Sequence, residues 1–157
     1  MTPELEIKVA LTVLKPPSEV FEAIVDPSKM SGYFISKGTG RMEPDTIVNW
    51  TFPEMDKAFP VKVGDVVTNK YISFNWGDMD GNETFVEMTL KPVRENATQV
   101  NISEKSRPND EAGIKWFKGN TEGWANFLCC LKAYLEYGIN LRKGAFEKEQ
   151  IPSEENK

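Results

Sequence analysis

Gly123-Trp124-Ala125-Asn126-Phe127-Leu128-Cys129-Cys130-Leu131-Lys132-Ala133-Tyr134-Leu135-Glu136 is the stretch on which the fold turns. With Trp124 at zero and about 100° per residue, Phe127, Leu128, Leu131, Tyr134, Leu135, Gly138, Ile139 and Leu141 share one stripe of about 160°. Glu122, Asn126, Lys132, Ala133, Glu136 and Asn140 fall outside it. This is an amphipathic helix with a broad apolar face. Asn120 or Thr121 supplies a cap, so the spacing predicts a helix over residues 120–141, roughly 33 Å long.

Such a face needs a second layer to cover it, and the residues upstream provide one. Val48, Trp50 and Phe52 alternate with Asn49 and Thr51. Phe59, Val61 and Val63 follow, then Ile72, Phe74 and Trp76, then Val86, Met88 and Leu90, then Val100 and Ile102, each set alternating with polar neighbours. Period-two patterning with one apolar face predicts antiparallel strands wet on one side. Gly77-Asp78-Met79-Asp80-Gly81-Asn82 and Arg94-Glu95-Asn96-Ala97 read as hairpin connections.

Further out, Leu5, Ile7, Val9, Leu11 and Val13 share one face of a first strand over residues 4–14. At about 3.3 Å per residue it matches the helix in length. Pro16-Pro17 ends it, and Ser18 is placed to cap a short helix carrying Val20, Phe21, Ile24 and Val25. Asp26-Pro27 stops that helix and opens another short one, with Met30, Tyr33 and Phe34 turned inward. The expected organisation is a single domain over 1–146 and a flexible tail over 147–157, which is rich in Glu.

The chain has 157 residues, 19 Lys and Arg against 24 Asp and Glu, a net charge of −5 and no histidine. Lacking histidine, it can hold no Ser-His-Asp or Cys-His catalytic set and no His-containing zinc site. The acidic balance and the absence of a basic cluster argue against nucleic acid. No apolar run is long enough for a membrane span. The N-terminus lacks the basic and apolar regions of a signal peptide, so a cytoplasmic location is expected. Cys129 and Cys130 are adjacent on a helix, point about 100° apart and read as small helix residues, not a redox pair. No metal and no cofactor is expected.

The order of elements and four sequence stretches resemble the START/Bet v 1-like superfamily, in its branch related to the activator of Hsp90 ATPase. Pro17-Ser18-Glu19-Val20-Phe21-Glu22-Ala23-Ile24 resembles the first helix of that branch. Asp26-Pro27 through Tyr33-Phe34 resembles its DP…WF segment, with Tyr33 where Trp is commoner. Val63-Gly64-Asp65-Val66-Val67 through Trp76 resembles its strand pair ending in Trp, and Gly123-Trp124 through Tyr134-Leu135-Glu136 resembles its helix signature. The resemblance implies an α+β helix-grip fold, a curved antiparallel sheet wrapped around the C-terminal helix with two short helices after the first strand. It also implies a cavity between sheet and helix.

The expected function is binding of a small hydrophobic or aromatic molecule in that cavity, without chemistry. Trp50, Phe52, Phe74, Trp76, Met88, Trp124, Phe127 and Leu128 are its expected lining, with Met30 and Tyr33 at the mouth. The same residues could instead fill a core. Buried indole N–H groups need partners, so inward tryptophans imply acceptors nearby. Two other functions follow from the resemblance: a co-chaperone-type regulator of Hsp90 ATPase, and a polyketide cyclase-like enzyme relying on Tyr33, Arg41 or a carboxylate such as Glu54, Asp56 or Glu87. Arg41 could hold a ligand carboxylate at the rim. Asp78 and Asp80 match a calcium loop only in part. Tyr71 and Phe85, on the outer sheet face, offer a surface for a homodimer.

Overall fold

The computed structural model describes residues 3–77 and 81–146. The tail beyond residue 146 and the centre of the 77–82 hairpin, with Asp78 and Asp80, lie outside them. Strand β1 (Glu4–Val13) leads into helices α1 (Pro17–Val25) and α2 (Pro27–Met30). Strands β2 (Lys37–Gly38), β3 (Ile47–Thr51), β4 (Ala58–Val67), β5 (Tyr71–Gly77), β6 (Glu83–Arg94) and β7 (Ala97–Pro108) follow, then helix α3 (Glu111–Tyr137).

The seven strands form one antiparallel sheet in the order β1-β7-β6-β5-β4-β3-β2. Its register shifts between Leu5 and Glu6, between Val63 and Val66, and between Pro92 and Arg94. Such irregularities bend a strand and increase its local twist, and the sheet curves around α3 in a helix-grip fold.

The alternating residues point where their periodicity directs them. Ile7, Val13, Val61, Ile72, Phe74, Val86, Met88, Val100 and Ile102 are all buried, against Phe127, Leu128 and Leu131 of α3 and Val20, Phe21 and Ile24 of α1. Each large apolar side chain so buried contributes about 1.5–3 kcal/mol relative to exposure. Lys132 ties the far end of α3 to the first strand, its ammonium donating to the Thr12 carbonyl at 2.8 Å.

Three local expectations are corrected. Helix α3 begins at Glu111, not at 120, because the Asp110 carboxylate accepts from the Gly113 N–H at 2.7 Å and caps it there. A β-carbon at Gly113 would stand 1.8 Å from the Pro108 carbonyl oxygen, so this strand-to-helix turn requires glycine. The helix ends at Tyr137 on Gly138, whose φ of 68° is left-handed. Ile139 and Leu141, read as part of the stripe, therefore lie beyond it and are 50% and 49% exposed. At α1 the cap position is Pro16, with no side-chain bond, and Ser18 lies inside the helix. Asp26 caps α2 as expected, accepting from the Ser28 N–H at 2.9 Å.

On the outer sheet face Tyr71 and Phe85 are half-buried, and the Tyr71 hydroxyl donates to Glu87 at 2.5 Å. Burial, with that bond, raises the Tyr71 phenol to about 12. Cys129 is exposed and Cys130 buried, and burial pushes the Cys130 thiol up, away from the reactive thiolate. No described helix is long and apolar enough to cross a membrane.

Candidate functional site

The sheet and α3 separate along the N-terminal half of the helix. The cleft between them has a volume of about 300 Å³, and a second pocket of about 210 Å³ adjoins it. Phe52, Met55, Trp76 and Asn120 belong to both parts. Phe34, from the turn after α2, and Trp124 and Gly123, from α3, complete the main wall. A β-carbon at Gly119 or Gly123 would meet nothing within 4 Å, so the two glycines leave the helix side of the cleft open.

The aromatic wall is an interlocked set. Phe34 meets Phe52 edge-on at 5.2 Å between centroids, and Trp124 lies 5.4 Å from Trp76. Such pairs hold ring orientation more firmly than aliphatic packing does. Past the end of α3 the chain doubles back, and Arg142 covers the rim. Its guanidinium sits 5.4 Å over Phe34 and 5.3 Å over Phe52, and donates twice to the Glu54 carboxylate, at 2.7 and 3.1 Å. This bidentate, ring-stacked arrangement suits arginine and not lysine.

In the adjoining pocket lies a residue the sequence reading missed. Glu104, on β7, is 0% exposed. Its Oε1 accepts from the Trp124 indole at 2.7 Å and the Asn120 amide at 3.1 Å. Its Oε2 accepts from the Trp76 indole at 2.9 Å and the Thr84 hydroxyl at 2.5 Å. A buried carboxyl is costly unless its oxygens are satisfied, and four donors from β5, β6 and α3 satisfy these. The acceptors expected for inward tryptophans are thus one side chain. The signal was present: Thr98, Val100, Ile102 and Glu104 are successive inward positions of one alternating strand.

The ten expected site residues separate into two groups. Phe52, Trp76 and Trp124 line the cleft. Met30, Tyr33, Trp50, Phe74, Met88, Phe127 and Leu128 are buried behind it, in the packed core. The Tyr33 hydroxyl donates to the Ala23 carbonyl at 2.9 Å, and burial holds its phenol well above the ordinary range. Arg41 lies away from the cleft, with two bonds of 2.8 Å to Glu22. Of the carboxylates considered for catalysis, Glu54 is paired with Arg142 and Glu87 accepts from Tyr71 on the outer face. Of the lining residues missed by sequence reading, Asn120 is read there as a helix cap, Gly123 only as part of the helix signature, and Arg142 lies beyond the expected helix.

The comparisons agree with this fold. The protein SSP2350 from Staphylococcus saprophyticus superposes with a TM-score of 0.76 at 31% identity, over 88% of this chain and 96% of that one. DynU16, a protein of the dynemicin biosynthetic locus, has a TM-score of 0.76 at 25% identity, over 87% of this chain and 49% of its own. The Aha1 dimer from Colwellia psychrerythraea gives 0.73 at 18% identity, over 85% of this chain and 98% of that one. No curated protein sequence matches significantly. The model of the family described as Activator of Hsp90 ATPase homolog 1-like protein matches residues 15–136, and the chain belongs to that family.

Proposed function

We propose that the protein binds a small hydrophobic or aromatic molecule in the cleft between the sheet and the N-terminal half of α3, and performs no chemistry on it. The observation that carries this reading is the open cleft of about 300 Å³ walled by Phe34, Phe52, Trp76 and Trp124. Aromatic walls favour flat apolar ligands, and the polar groups among them, Asn120 and Asn126 included, fix the orientation of the ligand. Phe52, Trp76 and Trp124 make the contacts, and Met30, Tyr33, Trp50, Phe74, Met88, Phe127 and Leu128 form the rigid backing. No reaction is assigned, because Tyr33, Arg41 and Glu54 each have a partner within the protein.

The test is a thermal-shift series with a long-chain fatty acid, a sterol and naphthalene derivatives. Binding to the native state raises the melting temperature with ligand concentration. The naphthalenes are expected to give the largest shift. A panel without any shift would overturn the reading.

The family match supports a second reading, regulation of Hsp90 ATPase through the outer surface. Pull-down against Hsp90, with ATPase turnover measured alongside, decides it. A result with no capture and no change in turnover would exclude that role.

A further inference from the structure

Resting on the binding reading above, the inference concerns the polar group that selects the ligand. Asn120 borders both parts of the cleft. Its Nδ2 donates to Glu104 Oε1, which already accepts from the Trp124 indole. Only the NH₂ side of an amide can donate, so this neighbour fixes which way Asn120 points. Its Oδ1 then has no partner among the described residues and is not sealed from solvent. The cleft thus presents an oriented acceptor beside a wall of aromatic rings.

The charges around it restrict the ligand further. Arg142 is already paired with Glu54, and the two pockets also carry Glu122, Glu104 and Arg107, so that carboxyls outnumber cations there. An acid entering a partly desolvated site with this balance meets an excess of like charge.

We infer that Asn120, held in one orientation by Glu104, selects uncharged aromatic ligands that carry a hydroxyl donor, which bonds to its Oδ1. Asn120 is the contacting residue and Glu104 the positioning residue.

The experiment is isothermal titration calorimetry at neutral pH with 2-naphthol, 2-methoxynaphthalene and 2-naphthoate. These share one ring system and differ in donor capacity and charge. Wild type is expected to prefer 2-naphthol over the ether by roughly tenfold, the size of one well-made hydrogen bond, with 2-naphthoate weakest. Asn120→Leu, of similar volume, should bring 2-naphthol down to the affinity that this variant shows for the ether. Glu104→Leu, which removes the acceptor of the Asn120 amide, should narrow the preference by freeing that amide to turn, a ratio that loss of stability alone would not move. If that variant fails to fold, Asn120→Leu still decides the matter. Equal affinity for 2-naphthol and the ether in wild type, or a ratio unchanged in Asn120→Leu, overturns this inference and leaves the binding reading standing. Absence of binding by all three naphthalenes overturns both.

Discussion

The two halves of α3 meet the same sheet by different means. Toward its C-terminus, Phe127, Leu128 and Leu131 are at most 2% exposed and interlock with β-strand side chains and with Tyr33, whose ring lies 5.6 Å from Phe127. Toward its N-terminus, the helix presents Gly119, Asn120, Gly123 and Trp124 to a gap, Asn120 and Trp124 bond to Glu104 of the sheet, and Trp116 and Phe117 pack only partly buried against the core. One half is held by fully buried apolar volume, the other by hydrogen bonds and partly buried aromatic rings around a cleft. A helix can therefore anchor a fold with one end and leave room for a ligand at the other.

Deleting volume at the packed end should have the largest effect. Phe127→Ala is expected to lower unfolding free energy by about 3–5 kcal/mol, as for other buried aromatic truncations. Urea denaturation measures it, and a loss below about 1 kcal/mol would mean that this end is not the anchor. At the open end, Glu104→Leu removes the acceptor of four donors and should cost about 2–3 kcal/mol. Stability equal to wild type would erase the distinction drawn between the halves.

The glycines sharpen the comparison by reversing its sign. Gly119→Ala and Gly123→Ala should each stabilise by about 0.5–1 kcal/mol, since alanine favours helix and the new methyl meets no atom within 4 Å. The same methyl narrows the cleft, so the melting temperature should rise while calorimetric affinity for 2-naphthol falls. A fall in both would show that these positions are packed, not open.

The smallest effect lies far from α3. The Arg41 hydrogen bonds hold the Glu22 carboxyl below its ordinary range, and the Ser28 hydroxyl and N–H do the same for Asp26. Lowered carboxyls stabilise the fold fully above their unfolded range, and that contribution is lost as pH falls through the lowered values. Stability should therefore decline modestly between about pH 5 and about pH 2. Glu22→Gln should flatten part of that slope by less than about 1 kcal/mol, as expected of an exposed pair. An unaltered slope would show that Glu22 takes no part.

Most of the scaffold is legible in the sequence. The alternation of β1, β3, β5 and β6 and the stripe of Phe127, Leu128 and Leu131 need only local periodicity. The start of α3 was misjudged because residues 111–119 lack a clean stripe, and a single Asp110 cap outweighs that absence. Glu104 escaped notice for a different reason. A carboxylate at an inward strand position ordinarily signals the end of the strand, and only tertiary assembly brings its donors from β5, β6 and α3 together. The aromatic residues were found by pattern, but pattern cannot separate Phe52, Trp76 and Trp124, which face the cleft, from Trp50 and Phe74, which lie behind it.

The placement of the indoles makes the molecule its own optical reporter. Trp50, Trp76 and Trp124 form a chain with centroids 6.0 and 5.4 Å apart, close enough for excitation absorbed by one to be shared with the others. Light emitted anywhere along that chain carries information from the cleft wall, and occupancy can be followed without attaching a dye.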